Sequence, residues 1–267
     1  MLTRMDQYTI GNPLTRRTST PVAGERGRLL VAERGAPEAA TPDEPGHPAT
    51  TATHGELVYR LVVAVDIANY SKLDALDQSL VQSRLSEVLD RAGQRAGLAR
   101  SQWYRQLRGD GELAVLPANV DAAWVVAEFT EQLVAALADV ARAHPTEPAL
   151  RLRIAMHHGT LAAGHFGLAG NAPVVTCRLL DSDNARDALT EDSSAHLVLV
   201  VSEQLYQDVV VSRFHGLSPQ RFRQTRVSAK DVDYAGYLCT GGPRTPDRPD
   251  NRVGALPGNV RNIREAS

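Results

Sequence analysis

The stretch Leu61–Ser71, LVVAVDIANYS, limits the fold more than any other. Five apolar residues, most of them β-branched, run without a polar break into Asp66, and a short polar turn follows. A continuous apolar run of this kind is the pattern of a strand buried on both faces. A carboxylate at the C-terminal end of such a strand is well placed to hold a metal ion, although an aspartate there also serves simply to start a turn. On this stretch alone both readings stay open.

The flanking chain supplies the partners such a strand needs. Val81, Leu85, Val88 and Ala92 fall at helical spacing ahead of Gly97, which predicts an amphipathic helix over about 73–96. Trp103–Leu107 and Glu112–Leu116 flank Arg108-Gly109-Asp110-Gly111, the pattern of a β-hairpin with a glycine-assisted turn. Val126, Phe129, Leu133, Leu137 and Val140 mark a second helix over about 120–143, with Asn119 as its expected cap. Strands follow at 150–157 and 197–201, with a helix over 174–189 between them. A short helix near 202–211 and strands near 222–227 and 233–239 complete the chain. The order is β-α-β-β-α-β with appended elements. It predicts an α+β, ferredoxin-like sandwich, an antiparallel sheet with helices on one face. In that topology the first and third strands are antiparallel neighbours, so Asp66 and Asp110 come together.

Residues 1–55 are rich in Thr, Ala, Pro and Gly, without sustained periodicity, and TPDEPGHPATTATHG cannot bury enough apolar area to offset ordering entropy. They read as a disordered leader, 242–267 as a disordered tail, and 56–241 as the folded unit. With 43% hydrophobic and 22% charged residues the chain has the composition of a globular protein with a real core. A formal net charge of −2 argues against a nucleic-acid partner. No apolar run reaches the length of a membrane span. Cys177 and Cys239 lack ligand-like spacing and fit a reducing compartment, so a cytoplasmic location is expected.

Two carboxylates converging at a sheet end suit divalent cations bound to polyphosphate. The backbone after Asp66 offers the Ile67 carbonyl and a run of N–H groups leading into a helix start, and helix N-termini and turns of this kind receive phosphate. Arg178, in GNAPVVTCRLLDS, is a fixed cation able to stabilise charge on a reacting phosphoryl group. Its alternative is a surface arginine paired with Asp181 or Asp183. His157 and His158 are adjacent on a strand, point to opposite faces and cannot chelate one metal.

Together these segments resemble the catalytic domain of class III nucleotidyl cyclases. The resemblance rests on Asp66-Ile67-Ala68-Asn69-Tyr70-Ser71, on Gly109-Asp110, on Arg153-Ile154-Ala155-Met156-His157-His158-Gly159, and on Gly170-Asn171 through Arg178-Leu179, in order across about 58–240. It implies that Asp66, Asp110 and the Ile67 carbonyl hold two Mg²⁺ or Mn²⁺ ions. It also implies that a substrate 3′-hydroxyl attacks the α-phosphate and pyrophosphate leaves. Arg178 would come from the other subunit of a head-to-tail homodimer with shared active sites. Tyr70, Gln106, Arg178 and Lys230 would touch the substrate, Lys230 standing where the family often carries a phosphate-binding lysine.

The sequence also departs from that family. Purine cyclases select the base with lysine or glutamate four residues before the hairpin aspartate, where this chain has Gln106. The partner position, eleven before the arginine, is Gly167, and the family's transition-state asparagine position is Val174. With this altered base pocket the chain resembles the bacterial pyrimidine cyclases of the Pycsar antiphage systems, which make cyclic UMP or cyclic CMP to activate a separate effector. The resemblance favours UTP; the Gln106 amide, donor and acceptor at once, suits either pyrimidine. The alternatives are a cytidylate cyclase, a purine cyclase with an unusual pocket, and a catalytically silent nucleotide-binding regulator.

Overall fold

The computed structural model describes residues 56–165, 167–229 and 232–244; the expected leader over 1–55, Lys230, and the expected tail from 245 onward lie outside the described residues. The expected sandwich is present. Strands β1 (Val58–Ile67), β2 (Tyr104–Arg108), β3 (Gly111–Val115), β4 (Leu152–Gly164), β5 (Gly167–Ala169), β6 (Leu197–Ser202), β7 (Arg223–Ala229) and β8 (Val232–Thr240) form a sheet in the order β2-β3-β1-β4-β6-β8-β7. β5 folds back on the end of β4. Neighbours are antiparallel except β4 and β6, which run parallel.

β1 is central and buried because both its faces are covered, as its unbroken apolar sequence requires. Leu61, Val63, Val65 and Ile67 face the two helices of the sandwich. These are α1 (Ala75–Arg95) and a second long helix, made of α2 (Ala122–Trp124), a π-helical turn at Val125–Phe129 and α3 (Thr130–Ala143). Val62 and Ala64 point the other way, under α4 (Asn171–Leu180) and α5 (Asp183–Glu191). The appended helices thus close the face that the core motif leaves open.

Two local readings are corrected. The segment expected as one helix over 174–189 is two, because Ser182 breaks it and caps α5, its hydroxyl accepting the Ala185 N–H. The second long helix is capped by Asp121, which accepts the Ala123 and Trp124 N–H groups, and not by Asn119. Residues 242–244, beyond the expected end of the folded unit, are held in place. The Ser218 N–H donates to the Pro243 carbonyl, and the Arg244 guanidinium pairs with Glu128 at 2.8 Å. The short helix after β6, α6 (Glu203–Leu205), continues as a π-turn to Val210. No described helix is long and apolar enough to cross a membrane.

Candidate active site

The hairpin register brings the two sequence-predicted aspartates together. Asp66 pairs with Gly111 across β1 and β3, and the Ile67 N–H donates to the Asp110 carbonyl at 2.8 Å. Gly111 makes that approach possible: a Cβ there would lie 1.9 Å from the Val65 carbonyl oxygen, so only glycine lets the turn lie against β1. From the other side, Gln82 on α1 donates both to the Gly109 carbonyl and to the Tyr70 hydroxyl, each at 2.6 Å. Tyr70 therefore ties the turn after β1 to the hairpin, half-buried against the α1 side of the core. Beneath the hairpin, Glu112 is buried with Arg100, which also reaches Asp90; Arg100 lies over the Trp103 ring. This pair fixes the strand that carries Asp110, a role for charged residues that motif reading did not find.

Asp66 continues the even-numbered face of β1 and is only 6% exposed. Its cross-strand partner Arg153 grips it with a two-pronged contact, Nε to Oδ1 at 2.8 Å and Nη2 to Oδ2 at 2.6 Å. Burial pushes the Asp66 carboxyl above its ordinary value; Arg153 opposes this, and the nearby charges of Asp110 and Asp181 add to it. Asp110, half-buried, makes no side-chain hydrogen bond or ion pair among the described residues. One carboxylate is thus buried against a single arginine, and the second beside it has no partner among the described residues.

That donor set fits a hard divalent cation. A carboxylate offers about four lone-pair positions, and the Arg153 fork uses two of those on Asp66. Among the described residues there is no cluster of three or more His, Cys, Asp or Glu side chains able to hold a metal alone. Two aspartates and the Ile67 carbonyl suit ions that keep waters and take further oxygens from a bound phosphate. The helix start expected after Asp66 is a single 3-10 turn separate from α1. Asn69, in the left-handed conformation at φ 61°, turns the chain into one 3-10 turn at Tyr70–Lys72. α1 begins later, and Asp74 caps it by accepting the Asp77 N–H, so a carboxylate already occupies that helix end.

Two of the other predicted residues, Gln106 and Arg178, line a cleft of 430 Å³ between β2 and α4, together with Arg108, Val174, Cys177 and others. Neither Asp66 nor Asp110 lines it. Gln106 and Gly167, paired by the sequence reading as the base-selecting positions, are in contact. A Cβ on Gly167 would stand 3.1 Å from both amide atoms of Gln106, and Gly167 has a φ of 117°. Arg178 is half-buried and makes no hydrogen bond or ion pair among the described residues, while Asp183 pairs with Arg186 instead. The reading of Arg178 as a surface arginine paired with a neighbouring aspartate is therefore not what the structure shows. Val174 is exposed. His157 is buried and His158 stacks on Tyr59 with ring centroids 4.5 Å apart, on opposite faces as expected.

No family model matches the chain, and no curated protein matches it. Among solved structures, the guanylyl cyclase Cya2 superposes with a TM-score of 0.53 at 14% identity, over 74% of this chain and 98% of that one. The chain has the fold of a nucleotide cyclase catalytic domain. An adenylate/guanylate cyclase/hydrolase from Silicibacter pomeroyi also superposes, at 18% identity over 68% of this chain and 96% of that one, with a TM-score of 0.49. On the cyclase fold, the carboxylate pair stands at the β1–β3 end and the Gln106–Arg178 cleft stands under α4.

Proposed function

We propose that the protein is a divalent-metal-dependent nucleotide cyclase that converts UTP to 3′,5′-cyclic UMP and pyrophosphate. The cyclic nucleotide would act as a second messenger in antiphage defence through a separate effector. The observation that carries this reading is the register of β1 against β3, which sets a buried Asp66 beside Asp110, whose side chain has no partner among the described residues. Two Mg²⁺ or Mn²⁺ ions, held by Asp66, Asp110 and the Ile67 carbonyl, would neutralise phosphate charge and lower the pKa of the attacking 3′-hydroxyl. Arg178 would stabilise charge gathering on the α-phosphoryl group. The Gln106 amide would orient a pyrimidine, with Gly167 leaving the base end open. Neither aspartate lines the cleft, and a homodimer would complete each site, Arg178 of one copy meeting Asp66 and Asp110 of the other. Lys230 is proposed as a phosphate contact on the family resemblance alone.

A second reading, a nucleotide-binding regulator without turnover, is favoured by the Arg153 grip on both oxygens of Asp66 and by Val174 in place of a polar donor. The experiment that separates them incubates purified protein with UTP, CTP, ATP or GTP and Mn²⁺ or Mg²⁺, then resolves products by mass. Cyclic UMP with pyrophosphate is the expected result. Cyclic CMP or a purine product would keep the cyclase and overturn the base; UTP binding without any product would establish the regulator.

A further inference from the structure

The cleft that holds Gln106 and Arg178 contains a second guanidinium that no motif picks out. Arg108 is two residues along β2 from Gln106, so the two side chains share a face of the strand about 7 Å apart. Its Nη2 donates to Cys177 Sγ at 3.3 Å, which sets the guanidinium against α4 beside Arg178. Gln106, Arg108 and Arg178 thus line one cleft, with the Gln106 amide also close to Gly167. Among the described residues no acidic side chain lines the cleft, and the only polar side chain there beyond the two arginines and the Cys177 thiol is the neutral amide of Gln106. Two cations facing one open cavity without a carboxylate repel each other, and an anion resolves that repulsion.

We propose that Arg108 is a substrate-contacting residue that binds the polyphosphate of the nucleotide together with Arg178. This rests on the nucleotide reading of the cleft and adds a residue to it. The placement answers a gap in the site. Val174 stands on the same face of α4 as Arg178, one turn earlier, and its isopropyl group cannot donate a hydrogen bond to a phosphoryl oxygen. Arg108 enters the cleft from β2 and supplies the missing donors, up to five N–H groups in a planar fork that matches phosphate oxygens. Cys177 serves as a resting partner. A thiol sulfur is a weak acceptor, and the guanidinium leaves it readily for a charged oxygen.

The test uses the full chain and inorganic tripolyphosphate as the probe, so it does not depend on turnover. Arg108→Gln is expected to weaken tripolyphosphate binding in calorimetry about tenfold, as is Arg178→Gln. Arg142→Gln, which removes one exposed charge from the opposite face, stays within twofold of the parent. In the turnover assay Arg108→Gln lowers kcat about 100-fold and leaves the preference among the four nucleotides unchanged. Arg108→Gln binding that matches Arg142→Gln, or no measurable binding by the unsubstituted protein, overturns the proposal. A changed base preference with tripolyphosphate binding intact also overturns it, by placing Arg108 on the base. Failure of the cyclase reading shows separately, as absence of cyclic product from the unsubstituted protein.

Discussion

The two faces of the sheet are built for different purposes, and β1 displays the contrast within one strand. Its odd-numbered residues Leu61, Val63, Val65 and Ile67 enter an apolar cluster with α1 and α3 that holds Phe129, Leu133 and Leu137 at almost no exposure. Its even-numbered residues Val62 and Ala64 enter a smaller cluster under α4 and α5, and the series ends in Asp66 against Arg153. On the first face β1 contributes only apolar side chains to close packing. On the second, burial of charge creates the conditions for a ligand. Variants on the two faces should therefore separate stability from activity.

The largest effect is expected at Asp110. Its side chain has no partner among the described residues, so Asp110→Asn should leave the melting temperature unchanged while lowering turnover about 1,000-fold or more, the several kcal/mol that a lost metal ligand represents. A melting temperature that falls with activity would mean the hairpin depends on that charge. A sharper form uses two inactive variants. Asp110→Asn and Arg178→Ala, mixed and allowed to exchange subunits, should recover roughly a quarter of parental activity, because half of randomly formed dimers are mixed and each carries one intact site of two. No recovery would place both residues in the same copy's site.

Next in size is the structural counterpart on the opposite face. Phe129 is fully buried, edge-on to Trp103 with ring centroids 5.4 Å apart. Phe129→Ala should cost about 3–5 kcal/mol of stability in denaturant unfolding, with kcat of the folded fraction near the parental value. Gly111→Ala couples the two faces. Its Cβ would collide with the Val65 carbonyl, a backbone atom that cannot swing aside, so a loss of about 1–3 kcal/mol is expected. Turnover should fall too, because the turn carrying Asp110 must leave β1. Activity retained alongside lost stability would show that the register does not set the distance between the carboxylates.

These variants follow the line between what the sequence discloses and what it conceals. The buried strand, the hairpin and the meeting of Asp66 with Asp110 are legible because an unbroken apolar run, a glycine-flanked turn and the order of elements are local signals. Arg153 is harder to assign. It becomes the partner of Asp66 only through a register that joins residues 87 apart in the chain, and the signal available was its place at the start of the strand antiparallel to β1. The Arg100–Glu112 pair has no motif at all, since the need for it arises only once the hairpin is buried. The break at Ser182 carries a local signal of its own, since the polar run Asp181-Ser182-Asp183-Asn184 interrupts the apolar spacing and a serine with its N–H partner three residues on is a capping pattern. Arg108 was masked by its neighbours: it reads as one more turn-flanking charge until α4 is packed over it.

The smallest expected effect is a pH dependence that divides along the same lines. His157 lies on the α4 side of β4, its Nδ1 2.8 Å from Ser202 Oγ, and Gly159 leaves space for its ring. Burial, with a smaller contribution from His158, lowers its pKa to about 4. The unfolded chain accepts a proton near 6.5 where the folded one does not, so stability falls as pH drops from about 6.5 to about 4. A shift of that size would be worth on the order of 2 kcal/mol once solvent relaxation is allowed for. Asp66 has the opposite sign. Its raised pKa means the folded state holds a proton that the unfolded state has lost, so stability declines as pH rises from 3.8 through the folded value. His157→Gln should remove the acid-side loss and leave the Asp66 slope. Mn²⁺ should do the reverse, stabilising ionised Asp66 without touching the histidine. Melting temperatures across pH 4–7, with and without Mn²⁺, measure both. If the two changes prove inseparable, the Asp66 end and the His157 end of this face titrate as one site.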